Sequence, residues 1–335
     1  MKINGKLWIS IVFSLFFVVL IFYNIDIEKT SNAFLNANYI YIPIAVFLSI
    51  VTNILRTYRW KFIINPIKHI STSSLFSGVA IGYMANNLLP ARLGELIRAY
   101  IMGKKENISK SSTFATILVE RIFDGLTLLF FLAIIAILFS LPVWIKHASI
   151  GAALFFILLS AFLILLITKK TTGIKLVNKI LVIFPVSFAK IISNLLNNFL
   201  SGLIIVNHKK NIFWAFIFSI IVWLSEALTY YAVSFSFNIN LPVYVSLLTV
   251  VIVNIGILIP SAPGYIGAFE FFCVSALAIF NVGKSAALSY AIVLHTVLFI
   301  PITLIGIYYF GRENLNLSDI TSFTKMPAAS AESKF

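Results

Sequence analysis

Residues 75–103 read LFSGVAIGYMANNLLPARLGELIRAYIMG, an apolar stretch broken in its middle by Asn86-Asn87-Leu88-Leu89-Pro90-Ala91-Arg92-Leu93-Gly94-Glu95. A second stretch, 243–280, is broken at Ile259-Pro260-Ser261-Ala262-Pro263-Gly264-Tyr265-Ile266-Gly267. Proline removes a backbone donor and breaks a helix. The groups it leaves unpaired cannot face lipid, and survive at membrane depth only inside protein or beside a wet cavity. Both stretches therefore read as re-entrant helical hairpins rather than as pairs of full crossings.

The rest of the chain places these hairpins in a membrane. Its 335 residues are 60% hydrophobic and only 11% charged, with a mean hydropathy of +1.02. Soluble domains are about 45–50% apolar and about 25% charged. Apolar windows near 7–23, 39–55, 113–140, 149–168, 213–235 and 286–310 predict six full spans. The expected class is all-α, a polytopic membrane protein of six spans plus two broken hairpins. Residues 1–312 read as one transmembrane domain and 313–335 as a disordered tail. No small-x-small cleavage site follows the first window, where Asn24-Ile25-Asp26 comes next, so it is expected to stay uncleaved.

Charge orients the spans. With the N-terminus inside, 19 of the 25 Lys and Arg fall in the inner segments 1–6, 56–74, 103–112, 169–212 and 311–335. Three (Lys29, Lys146, Lys284) fall outside, and three (Arg92, Arg98, Arg121) within apolar stretches. This positive-inside bias puts both ends in the cytoplasm of a cell membrane. It also accounts for the net charge of +14 without nucleic acid as a partner. Segment 169–212 holds seven lysines and no acid. It reads either as an amphipathic helix on the anionic inner leaflet or as a solvated linker. The single cysteine, Cys273, and four scattered histidines offer no metal-ligand spacing, and no cofactor is expected.

In this topology the first hairpin enters from the cytoplasm and the second from outside. Each lies between two spans, in halves at about 39–168 and 213–310. That is the pattern of an inverted repeat, whose broken segments mark a site near the midplane. Glu95 and Glu270 lie 175 residues apart, as do Glu120 and His295.

Eight charged residues fall in apolar stretches: Arg92, Glu95, Arg98, Glu120, Arg121, Asp124, Glu226 and Glu270. One central charge costs roughly 2.5–3.5 kcal/mol on the insertion scale, so eight facing lipid would cost about 20–28 kcal/mol. A protein's net stability is about 5–15 kcal/mol, so these groups must face inward, paired or hydrated. Arg92, Glu95 and Arg98 step by three along one helix face, and Arg121 reaches Asp124 at i,i+3. Glu120 is expected to pair with Arg92 or Arg98. Arg121–Asp124 reads as a structural ion pair or part of a polar network with Glu120, Glu226 and His295 that could couple protons. His295 alone is as well a hydrogen-bonded core residue. Gly78-x-x-x-Gly82 reads as a helix-packing motif. Around Pro263-Gly264-Tyr265-Ile266-Gly267, open amides at a helix start suit an anion, and the same glycines serve a sharp reversal equally well.

Three blocks carry a resemblance: Asn86 to Arg98, Val119-Glu120-Arg121-Ile122-Phe123-Asp124, and Pro260 to Glu270. Together they resemble the lysylphosphatidylglycerol synthase transmembrane, or flippase-like, family, over about residues 5–312. The resemblance implies a membrane domain that moves aminoacylated phospholipid between leaflets in its best-understood relatives. Those relatives carry a soluble aminoacyl-transferase domain after the membrane part, which the residues after 312 do not supply, so lysylation is not expected here. Other relatives are linked to polyprenyl-phosphate or glycolipid pathways. The expected function is a non-enzymatic flippase-like transporter of a phosphate-bearing lipid. The expected headgroup contacts are Asn86, Asn87, Pro90, Arg92, Gly94, Glu95, Arg98, Pro263, Gly264, Gly267 and Glu270. The alternatives are a membrane-embedded glycosyl- or aminoacyl-lipid transferase component, and a scaffold for a lipid-synthesis enzyme.

Overall fold

A computed structural model describes residues 5–23, 25–89, 93–139, 141–168, 197–203, 205, 208–259 and 261–313. The expectations for Pro90, Arg92 and Pro260, for most of 169–212 and for the tail from 314 lie outside the described residues.

Every long element is helical. Among the described residues five helices are long and apolar enough to cross a bilayer: α3 (Ile42–Ile64), α6 (Lys110–Leu138), α7 (Val143–Thr168), α8 (Lys209–Ser236) and α11 (Lys284–Arg312). Helix α1 (Gly5–Phe22) adds 18 residues, about 27 Å at 1.5 Å per residue. Large apolar side chains stay exposed along these helices, such as Phe47, Ile137, Leu158 and Leu304. Apolar exposure spread along spanning-length helices is what a bilayer covers. The chain is a multi-pass helical membrane protein.

The broken stretches form two helical hairpins. The first is α4 (Thr72–Leu88) packed on α5 (Gly94–Glu106). The second is α9 (Val243–Gly256) packed on α10 (Ala268–Ala278), with a short 3-10 turn, Pro263–Tyr265, between them. Helix α4 runs on through Asn86 and Asn87 to Leu88, nearly one turn past the start of the expected break. Side chains then satisfy the backbone groups that the breaks orphan. Asn86 Oδ1 accepts from the Gly94 N–H at 2.8 Å. Ser14 of α1 accepts from the Ala262 N–H at 2.7 Å and donates to the Ile266 carbonyl at 2.9 Å.

Packing sets directions. Helices α3 and α8 lie antiparallel along their whole length: Tyr41 meets Phe235, Thr52 meets Ser225, and Phe62 meets Trp214. The first hairpin therefore opens at the end where α3 finishes. The second opens at the opposite end, where α11 begins beside α1 and α2 (Ile27–Leu35), with Ser289 donating to the Thr30 carbonyl. The hairpin tips meet inside the bundle. A Cβ on Gly264 would lie 3.3 Å from the Asn87 carbonyl, and Asn87 Nδ2 donates to Thr303 of α11 at 2.8 Å.

Two details differ from the sequence reading. Helix α3 ends at Ile64 rather than near residue 55, so Arg56 and Arg59 lie inside the bundle and not in an inner loop. Their charges are neutralised by acids on neighbouring helices, which a hydropathy window cannot weigh. The inner-segment tally becomes 17 basic residues against three outer ones, still a strong asymmetry. The outer segment that holds Lys29 carries a helix, α2, capped by Asp26 Oδ1 accepting from the Lys29 N–H at 3.0 Å. Gly78 and Gly82 do pack closely, against Met102 and Arg98 of α5.

Candidate functional site

One face of α3 presents Ser49, Asn53 and Arg56 at helical spacing, and α8 presents Glu226 and Tyr230 opposite them. Between these faces and the hairpin tips lies a cavity of about 150 Å³. Tyr83, Asn86 and Asn87 of α4, Glu95 of α5, Arg121 of α6, Asn254 of α9 and His295 of α11 complete its polar lining. Tyr265, from the second break, adds a ring held at a φ of 60°. A non-glycine residue in that region is strained, and such strain gathers at functional sites.

Behind the cavity stands a buried ion network. Arg59, fully buried, pairs with Asp124 at 2.5 Å and Glu120 at 3.0 Å and donates to Ser219 at 3.2 Å. Arg98 reaches Glu120 through two hydrogen bonds at 2.9 and 3.3 Å. Arg121 shares both acids, at 2.8 Å from Glu120 and 3.3 Å from Asp124. Trp223 Nε1 donates to Asp124 at 3.0 Å, and the Trp60 ring lies 3.6 Å beneath the Arg98 guanidinium. Beside this network Arg56 pairs with Glu226 and sits over the rings of Tyr83 and Trp223, at 5.0 and 5.5 Å. Such rings attract cations and keep out water. Multiply bonded charges of this kind hold their geometry because losing one partner strands a charge in low dielectric.

The expected headgroup residues divide. Asn86, Asn87 and Glu95 line the cavity. Arg98 does not line this cavity; its guanidinium is spent on Glu120, the pairing foreseen for it, and it faces only a small adjoining recess. Gly94 serves packing, since a Cβ there would lie 2.0 Å from the Gly82 carbonyl. Two amides of the Pro263–Gly267 turn are engaged, the Tyr265 N–H by the Ala262 carbonyl and that of Gly267 by a side chain. The Gly267 N–H is taken at 2.8 Å by Glu270, which caps α10, and Gly267, at a φ of 88°, faces Ser14 of α1. Gly264, at a φ of 71°, lets the turn reverse against Phe299. Glu270 therefore acts as a cap and as the partner of His295, whose Nδ1 lies 2.6 Å away with its ring stacked on Phe269 at 4.4 Å. Arg121–Asp124 and Glu120 come together as their spacing required.

Sequence reasoning missed Arg56, Arg59, Trp223, Asn53, Asn254 and Ser14. A signal existed: after Arg56 the residues Trp60, Ile63 and Ile64 continue the apolar pattern at helical spacing, which extends the helix past both arginines.

The three sequence blocks lie on these elements, and a family model described as the lysylphosphatidylglycerol synthase TM region matches residues 7–306. The chain belongs to this family. Among its relatives, a UPF0104 membrane protein of Methanocaldococcus jannaschii is 33% identical over 186 residues, covering 54% of this chain and 55% of that protein. The match thus spans about half the length of that relative. A UPF0104 membrane protein of Methanothermobacter thermautotrophicus is 27% identical over 334 residues, covering 93% of this chain and 97% of the other. Glycosyltransferase AglD of Haloferax volcanii is 30% identical over 105 residues, which is 31% of this chain and 17% of AglD. No solved structure matches. The family spans both broken hairpins and the ion network, so its sequence signature and the cavity coincide on the same elements.

Proposed function

We propose that this member of the family is a transporter, not an enzyme, that takes the headgroup of a phosphate-bearing lipid into the central cavity and moves it between leaflets. The observation that carries this reading is a charged, hydrogen-bonding cavity enclosed by helices whose outer faces are apolar. A cavity of about 150 Å³ takes a benzene-sized group, so it admits a small headgroup while acyl or polyprenyl chains stay in the bilayer. The two hairpins, opening from opposite ends, are read as re-entrant elements of an inverted repeat. The packing supports this: α4–α5, α5–α6 and α3–α4 contacts have counterparts in α9–α10, α10–α11 and α8–α9. Rocking one half against the other would open the cavity to each leaflet in turn. The lysine and arginine bias supports a cytoplasmic position for both termini.

The similarity to glycosyltransferase AglD over 105 residues favours a second reading, a membrane-embedded component of a lipid-linked transferase. One experiment separates them. The full chain is reconstituted in liposomes holding trace headgroup-labelled phosphatidylglycerol or polyprenyl phosphate, and an impermeant quencher is added. Quenching beyond the outer-leaflet share, slowed by the cavity-narrowing Ser49→Leu, is expected. Product formation from an added sugar or aminoacyl donor without movement would establish the transferase. Neither activity would leave a scaffold and overturn the proposal.

A further inference from the structure

The cavity wall holds two guanidiniums, and they are not equivalent. Arg56 is the cation paired with Glu226, and its side chain is 12% exposed. If it turned to a ligand, that carboxylate would lose its one ion-pair partner among the described residues. Arg121 is 31% exposed, and both of its acids have other partners. Glu120 keeps Arg59 and Arg98; Asp124 keeps Arg59 and the Trp223 N–H. Arg59 and Arg98 have 0% and 4% of their side chains exposed and serve as the fixed counter-charges. Arg121 can therefore leave its acids without orphaning either one.

The acceptors on the same wall point to the rest of the ligand. Glu95 Oε2 and Asn53 Oδ1 are buried and have no hydrogen-bond donor among the described residues. The Asn53 amide orientation is set by its Nδ2, which donates to the Ser49 carbonyl at 2.9 Å. Glu95 shares the adjoining recess with Arg121. Buried acceptors left without donors are costly, so a ligand bringing donors gains by meeting them.

Resting on the reading of this cavity as a headgroup site, we infer that Arg121 binds the phosphate, and that Glu95 and Asn53 accept from a hydroxyl or ammonium group carried on the same headgroup. The ligand class is a phosphodiester bearing hydrogen-bond donors, and a bare phosphodiester is a poor ligand.

The test uses the detergent-purified full chain and three soluble probes: glycerophosphoethanolamine, glycerophosphoglycerol and dimethyl phosphate. Calorimetric titration measures affinity, and Trp223 fluorescence, assigned with Trp223→Phe, reports on the site. Wild type is expected to bind one or both glycerophosphodiesters about ten-fold tighter than dimethyl phosphate, the worth of one charge-assisted hydrogen bond. Arg121→Gln should weaken all three, with partial rescue in Arg121→Lys and little change in unfolding temperature. Glu95→Gln should abolish the preference for the ammonium probe over dimethyl phosphate, or, where hydroxyls are read, Asn53→Leu should abolish that for glycerophosphoglycerol. Equal affinity for all three probes, unchanged affinity in Arg121→Gln, or no binding to wild type would overturn the site. Transport in liposomes is scored separately. Movement that survives Arg121→Gln refutes this site and leaves the transporter reading standing, whereas binding without movement in wild type does the reverse.

Discussion

Replacing Arg59 with Gln removes the cation at the centre of the buried network. Arg59 touches two acids at 2.5 and 3.0 Å with no exposure to solvent. At about 3 Å and an effective dielectric of about 20, one such pair attracts by roughly 5 kcal/mol. Desolvation offsets part of this in the native protein, but a partner left behind bears its own desolvation in full. Removing one side of a buried pair therefore costs about 3–5 kcal/mol, against a typical net stability of about 5–15 kcal/mol. Asp124 would retain the Arg121 and Trp223 donors, and Glu120 would retain Arg98 and Arg121. The expected loss is thus near the lower figure, about 3 kcal/mol. Arg121→Gln, at the rim of the same network, should cost about 1 kcal/mol or less, as partly exposed pairs do. The assay is thermal unfolding of detergent-purified variants followed by tryptophan fluorescence, with monodispersity checked by size exclusion. Asp124→Asn added to Arg59→Gln removes the acid that Arg59 paired with, returns the network to its native net charge and should recover part of the lost unfolding temperature. An Arg59→Gln protein that melts with wild type or above Arg121→Gln, or a double variant no better than the single, would refute the reasoning.

Gly94→Ala should cost at least about 1–3 kcal/mol, the range for overpacking, because its Cβ would lie 2.0 Å from the Gly82 carbonyl. Gly311→Ala, with nothing within 4 Å, is the control; yields of monodisperse protein measure both, and equal yields would count against the close α4–α5 approach. Glu270→Ala should lose about 0.5–2 kcal/mol as a helix cap goes, and a double-mutant cycle with His295→Ala should show coupling, since the two side chains meet at 2.6 Å; additive losses would deny the contact. Asp26, outside the spanning helices, has its carboxyl held below the ordinary value of 3.8, chiefly by the Lys29 backbone N–H and then by the Lys29 side chain. A depressed value means the cap on α2 stabilises at pH above the unfolded value and is lost as pH falls through the folded one. Amide exchange in 27–35, corrected for intrinsic rate, should thus lose protection as pH falls below the ordinary carboxylate value, and Asp26→Asn should remove that pH dependence.

Arg59 shows where reading the chain stopped short. A hydropathy window closes a span at the first arginine because it adds residue costs singly. The cost of Arg56 and Arg59 is offset by Glu226, Glu120 and Asp124, which lie on helices 60 or more residues away. Glu270 has a further task in the structure. Its place after a glycine-rich break suggested a ligand contact, yet a carboxylate three residues past Gly267 is also a helix cap, and the local backbone geometry uses it as one. Asn86 and Asn87 both line the cavity, but their tasks differ: one staples its own hairpin and the other fastens that hairpin to α11. Nothing in their spacing distinguishes the two.

Covalent order and solvent alone determine that this chain builds apolar helices, that two of its stretches must break where proline and glycine stand, and that intramembrane acids and arginines turn inward, because lipid cannot solvate a charge or an open backbone group. Neighbours in sequence, such as Arg121 and Asp124, also find each other by helical spacing. Which arginine faces which carboxylate, which guanidinium retains exposure to the cavity, and which glutamate is spent on a helix end are decided only when distant helices pack. Those assignments depend on distances of about 3 Å between segments that share no local periodicity.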